Sequence, residues 1–434
     1  MDATLTAREF QLAGGTQDWR VLGRGACAWF EAPSHATGDM LARRVMELCE
    51  GQGWTVPDLD IRPCGIRVYV DYPPAGFTDA EVALAGAIST AAAELGLRAD
   101  PAAVQDVQLT FDTLDQSSVM DFWGGVLGHE RRGEDDLIDP ARRLPPLWFQ
   151  DQDAPRPLRN RLHLDVVTAS EVAVATLASA RAAGAAVREH GYYATVADPE
   201  GNEVDILPLP EGSDRWTGQD TEDWRLVFSA VACYATPSMA ASMQLAEAVA
   251  RLADAADLSL GIDVRPDLVT LDSGKDAWEL DDGYEQLAAR IQEAARAMGL
   301  TADTARPRFV QVGIDAVDIP AVRGFWRAVL GYEEDGRDHV TDIVDPQQLN
   351  MPLFFQDLEP GEDARRAQRN RIHLDVYLPD DLVRARVDAG LAAGGKVLYE
   401  AKAPLWWTLS DPEGNEVDLC VSVGREEMWA PAPS

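Results

Sequence analysis

Asn160-Arg161-Leu162-His163-Leu164-Asp165 is written a second time as Asn370-Arg371-Ile372-His373-Leu374-Asp375. Polar and apolar residues alternate in both, the period of a strand with one face in a core. The leucines and isoleucine turn to the core. Arg161, His163 and Asp165 then share the other face, as do Arg371, His373 and Asp375. Further on, Asp198-Pro199-Glu200-Gly201-Asn202-Glu203-Val204-Asp205 returns as Asp411-Pro412-Glu413-Gly414-Asn415-Glu416-Val417-Asp418. The first five residues are a turn sequence, because Pro fixes φ and Gly supplies positive φ. The acids after it fall on one strand face: Glu203 with Asp205, Glu416 with Asp418.

The repetition extends outward. Asp60-Ile61-Arg62-Pro63 recurs 203 residues on, as Asp263-Val264-Arg265-Pro266. Phe122-Trp123 recurs as Phe325-Trp326 at the same spacing. A repeat this long marks duplicated domains rather than a solenoid. Each copy reads as two parts, giving domains at 1–102, 103–213, 214–305 and 306–434, all α+β. The first part of each copy carries amphipathic helices. Thr78 and Glu81 form a capping box that starts one of them, Gly96 ends it, and Asp282, Glu285 and Gly299 are expected to do the same in the second copy. The second part is richer in strands: Val107–Asp112, a helix over Asp115–Gly128, Leu147–Gln150, Arg161–Val167, a helix over Glu171–Ala183, then Tyr192–Val196 and Glu203–Leu207. Strand, helix, strands occurs twice, a doubled βαβββ pattern expected to close within each domain.

Composition narrows the function. The 434 residues hold 73 acids against 38 Lys and Arg, a net charge of −35. Phosphate backbones and anionic membranes need clustered cations, so neither nucleic acid nor a membrane is an expected partner. The five cysteines include no CxxC pair, so neither a disulfide framework nor a thiolate zinc site is indicated. The N-terminal stretch has no basic start followed by an apolar run, and a cytoplasmic location is expected.

The segments LTFDTLDQSSVMDFWGGVLGH, NRLHLDV and ADPEGNEVDIL, with their partners VGIDAVDIPAVRGFWRAVLGY, NRIHLDV and SDPEGNEVDLC, resemble the vicinal-oxygen-chelate superfamily of glyoxalases, bleomycin-resistance proteins and extradiol dioxygenases. The resemblance implies two βαβββ modules curved into a cupped sheet, with a divalent metal in the cup when one is present. It places ligand positions near Asp106, Gln150, Arg161 and Asp205, and near Phe309, Gln356, Arg371 and Asp418. The preceding parts resemble pterin-carbinolamine dehydratases through WRVL and VPDLDIRPCGIRVYVDYPPAGFTDAEVALAGAI. That family's histidines are replaced by Thr55-Val56 and Tyr72, and Leu258-Ser259-Leu260 stands at the first position of the second copy. Pterin dehydration is therefore disfavoured, and these parts are expected to scaffold.

Several polar side chains are expected to face the cups. Gln108, Gln150, Trp148 and Tyr192 join Arg161, His163, Asp165 and Glu203 in the first. Gln356 and Trp406 join Arg371, His373 and Asp375 in the second. His163 and His373, oriented by Asp165, Glu203 and Asp375, are candidates for general acid–base work, and Arg161 and Arg371 for holding an anionic oxygen. Arginine cannot ligate a metal, so no cofactor is favoured. A divalent metal, if bound, would take His163, Gln150 and Asp205. The reading is a small-molecule lyase, isomerase or cyclising enzyme; the alternative is a binder that sequesters its ligand. The copies are expected to pair internally, as a pseudo-dimer or as half of a homodimer. Divergence at Asp106/Phe309 and Thr110/Gly313 suggests that the first cup is the functional one.

Overall fold

The computed structural model describes residues 4–73, 76–218, 220–359 and 361–429. Residues 1–3 and 74–75, quoted above, lie outside them. No helix among the described residues is long and apolar enough to cross a membrane.

The two leading parts join into one ten-stranded sheet. Strand Asp58–Arg62 of the first copy pairs antiparallel with Gly261–Val264 of the second, and Asp60 stands opposite Asp263. Like charges facing one another would repel. The repeated Asp-x-Arg-Pro motif supplies the remedy: Arg62 pairs with Asp263 at 2.7 Å and Arg265 with Asp60 at 2.8 Å. Burial alone would raise the Asp60 carboxyl, but Arg265, Arg67 and Arg62 hold it far below the carboxylate range. The helices His35–Gln52, Asp79–Glu94, Met239–Ala256 and Gly283–Ala297 pack on one face. The Thr78/Glu81 capping box forms, and Gly96 and Gly299 adopt positive φ. Asp282 is an N-cap without a side-chain bond, so the expected second box is absent: the chain enters that helix already in the right-handed region, which leaves the carboxylate aimed elsewhere.

The strand-rich parts make two eight-stranded sheets, and here the expected pairing is corrected. The modules of one copy do not close on each other. Strand Leu162–Thr168 pairs with Arg308–Ala316, and Ile372–Tyr377 pairs with Asp106–Thr113. Each sheet therefore takes its first module from one copy and its second from the other. The alternation is as expected: Leu162, Leu164 and Val166 are buried in the apolar core, as are Ile372, Leu374 and Val376.

The exchange explains the repeated motifs. Asn370 Oδ1 accepts from the Arg161 N–H and Asn160 Oδ1 from the Arg371 N–H, a reciprocal clasp between the copies. Each Asp-Pro-Glu-Gly-Asn turn also holds its own copy's helix. Asp198 and Asp411 accept the indole N–H of Trp123 and Trp326, both fully buried.

Candidate functional site

Because the modules are exchanged, each cup draws on both copies. The His373 cup contains Gln108, Thr110, Asp112, Trp148 and Gln150 from the first copy, with His373, Asp375, Glu416 and Asp418 from the second. The His163 cup contains Gln311, Gly313, Asp315, Phe354 and Gln356, with His163, Asp165, Glu203 and Asp205. Gln150 and His163 thus lie in different cups, and the expected ligand set of His163, Gln150 and Asp205 is corrected.

A cluster of one imidazole and two carboxylates forms on the floor of each cup. His163, Asp165 and Asp205 bring their ligating atoms within 4.8 Å of one another, and so do His373, Asp375 and Asp418. In each, the histidine Nε2 is 3.5 Å from the first aspartate. The strand register puts the glutamine of the exchanged module beside that aspartate. Gln311 donates to Asp165 at 2.8 Å and Gln108 to Asp375 at 3.3 Å. Burial pushes the Asp375 carboxyl up; His373 opposes this and Asp418 adds to it. Asp165 is raised by burial too, against His163 and Gln311 and with Asp205. Burial also raises Asp418. One imidazole facing two acids, the first buried and the second half-buried, leaves each cluster short of positive charge.

The remaining expected residues divide. Arg161 and Arg371 do not face the cups. They are 1% and 2% exposed, and their guanidinium groups brace the other copy's loops. Arg161 donates to the Arg366 and Glu413 carbonyls at 2.6 and 2.7 Å. Arg371 donates to the Leu158 and Gly201 carbonyls and to Asn202. The strands begin one residue later, so strand alternation does not govern these arginines. Gln150 is engaged with Asp112 and Gln356 with Asp315, and each of these acids carries a buried arginine, Arg156 or Arg365. Asp106 accepts from Tyr69 and Phe309 packs among apolar side chains, so neither joins a cluster.

Glu203 is fixed by Arg159 at 2.8 Å and Arg188 at 2.5 Å, and Glu416 by Arg369 at 2.6 Å. Trp148 sits opposite Thr110 and donates to Asp135, while Trp406 stacks on Tyr399 beside Arg369 and Thr408. Tyr192 is 46% exposed with Glu279 and Asp214 as its acidic neighbours; Tyr193, beside Asp205 and Asp165, is the ring nearer the cluster. Both cups hold the cluster, so the expected difference between copies does not lie there. It lies beside the histidine, where Gly313 leaves room for His163 and Phe354.

The sequence matches the glyoxalase-like domain family over residues 108–207 and 311–420. Each of these two stretches is similar to a glyoxalase-like domain. No curated protein matches it. Among solved structures it is similar to glyoxalase I from Zea mays, at 10% identity and a TM-score of 0.36 over 75% of this chain and 95% of that one. It is also similar to a putative dioxygenase from Bacillus subtilis, at 10% identity and a TM-score of 0.35 over 75% and 86%. A third is cppA protein from Streptococcus pneumoniae, at 9% identity and a TM-score of 0.33 over 73% and 97%.

Do the clusters fit a divalent metal? Oδ1 of Asp375 and Oδ1 of Asp418 are sealed from solvent without a donor in good hydrogen-bond geometry, although the Thr110 and Thr408 hydroxyls stand beside them. In the other cup Oε1 of Gln311 is buried in the same state. Two carboxylates and an imidazole suit a borderline-hard divalent ion such as Mn²⁺. The residues fit, and the expectation that no metal is favoured rested on arginines that are not in the cups.

Proposed function

We propose that this chain is a small-molecule enzyme of the vicinal-oxygen-chelate type, a lyase or isomerase acting on an oxygenated metabolite in the exchanged cups. The observation that carries the reading is the His-Asp-Asp cluster in each cup, whose ligating atoms lie within 4.8 Å of one another. His373, Asp375 and Asp418, or His163, Asp165 and Asp205, would hold a divalent cation, which would supply Lewis acidity in the cup.

The chain's own groups do the rest. Gln108 and Gln311 hold the first aspartate of each cluster in place. Glu416 lies across the strand register from His373, and Glu203 from His163. Each is a carboxylate outside the cluster and anchored by arginine, placed to take a proton from a carbon next to the bound oxygens. The Arg anion-holding role expected of Arg161 and Arg371 is not part of this reading.

The test is calorimetry of chelator-stripped protein with MnCl₂. The reading expects two sites per chain, one lost in His163→Ala and the other in His373→Ala. Absence of any site in folded protein would overturn it. A sequestering binder is the second reading, favoured by the stacked Tyr399 and Trp406 at the rim of the His373 cup. In that case Trp406→Ala weakens ligand binding while Glu416→Gln changes nothing.

A further inference from the structure

We propose that the deep end of the His373 cup is an oxyanion subsite built by the preceding α+β part, so that the substrate of this cup carries a carboxylate or phosphate. This rests on the reading above for the reacting end of the molecule, but the subsite itself is independent of the cluster.

The strand register leads from one to the other. On the cup face of the floor, His373 lies opposite Thr110, Asp375 opposite Gln108, and Tyr377 opposite Asp106. Two residues along a strand span about 7 Å. At that distance from the cluster row, Gln108, Tyr377 and Asp106 line a cavity of about 390 Å³ closed by the ten-stranded sheet. Its charged lining is five arginines, Arg24, Arg67, Arg132, Arg142 and Arg143, against two acids, Asp106 and Asp136. In a chain of net charge −35, such a convergence of cations is not a by-product of composition.

Some of these arginines are spent. Arg24 pairs with Asp58 and Asp71, and Arg143 with Asp272. Two keep a nitrogen without a hydrogen-bond partner. The Arg67 side chain is 9% exposed; its Nε donates to Asp60 at 2.7 Å and its guanidinium lies over the Tyr69 ring at 5.6 Å. Among the described residues its two terminal nitrogens meet no acceptor, and they are the pair that grips an oxyanion side-on. Arg142 pairs through its terminal nitrogens with Asp58 at 2.6 Å and Asp71 at 3.8 Å, while its Nε is buried with no partner. Arg142 also has a φ of 54°, a strained conformation for a residue with a Cβ. A buried donor left unmet is costly, and an anion in the cavity would satisfy both arginines.

The other copy lacks the device. At the corresponding places of the His163 cup stand Thr270 for Arg67, Gln348 for Arg142, and Phe309 for Asp106. Gln348 keeps the same positive φ, 55°, so the backbone is shared and the guanidinium is not. The two cups therefore differ: Arg67 and Arg142 equip the one beside His373 for an anion, and Thr270 and Gln348 stand at those places beside His163.

The experiment uses the full chain, stripped of metal, titrated calorimetrically with inorganic phosphate and separately with malonate at low ionic strength. The arm that binds more tightly identifies the anion. Binding at one site is expected, weakened at least tenfold in both Arg67→Gln and Arg142→Gln and unchanged in Lys275→Gln, which alters the other half. Arg142→Gln has a counterpart in Gln348, so it keeps the fold even if Arg67→Gln does not. No binding of either anion, or binding indifferent to Arg142→Gln, would overturn the subsite. If anions bind but MnCl₂ does not, the proposed function fails and the subsite stands; if MnCl₂ binds and anions do not, only the subsite fails.

Discussion

Arg161→Met separates a brace from a substrate-holding group. The guanidinium is 1% exposed and donates to four carbonyls of the other copy, at 2.6, 2.7, 3.2 and 3.5 Å. A hydrogen bond from a charged donor is worth roughly 1.5–3 kcal/mol, so the two short ones alone amount to about 3–6 kcal/mol. Burial works against this, drawing the Arg161 guanidinium below its ordinary pKa range. Its Nε is also buried without a partner. Methionine fills most of the volume but leaves the Arg366 and Glu413 carbonyls unmet. The net loss expected is about 3 kcal/mol, within the range for breaking a buried polar network. Urea unfolding followed by circular dichroism reads it as a lower midpoint at unchanged slope. Cation binding by the variant, measured in buffer where it is folded, should match the parent chain. Stability within about 0.5 kcal/mol of the parent, the usual spread of surface changes, together with weakened ligand binding, would refute the reasoning and return Arg161 to the cup.

Three further outcomes follow from the clusters. Asp418→Asn removes one of the two crowded acids of its cluster, so it should raise the melting temperature of metal-free protein while abolishing cation binding beside His373. Asp375, Asp418 and Asp165 hold raised pKa values through burial. The folded state therefore keeps protons that the unfolded chain has released. Metal-free stability should fall as pH rises from the ordinary carboxylate range through these raised values, and saturating Mn²⁺ should flatten that fall in thermal melts. In Gly313→Ala the new Cβ would stand 2.2 Å from His163 Cε1 and 2.6 Å from Phe354 Cζ. It should eliminate cation binding beside His163, leaving the His373 site titrating normally in calorimetry.

The sequence made the building blocks legible, because alternation and turn chemistry are local. Leu162 and Leu164 face the core and His163 and Asp165 the cup as their spacing requires. What it could not show is which copy's module each strand joins. The edges of Asp106–Thr113 and Arg308–Ala316 carry the same pattern, so partner choice is set by the reach of the connection and by contacts such as Asn160 and Asn370, not by the strand itself. That uncertainty put Gln150 with the wrong histidine. The arginines misled for a related reason: Arg161 and Arg371 sit one residue before the strand, where alternation no longer fixes direction. Arg67 and Arg142 were overlooked because they are far in sequence from His373 and belong to a part read as scaffold. The departure of Thr270 from Arg67, in an otherwise shared strand pair, was the available signal.

The most direct test is anomalous diffraction from crystals of the full chain grown with MnCl₂. The account predicts two peaks, one among His163, Asp165 and Asp205 with Gln311 alongside, and one among His373, Asp375 and Asp418 with Gln108 alongside. Well-ordered cups with no anomalous peak, or a peak shared by His163 and Gln150, would contradict it.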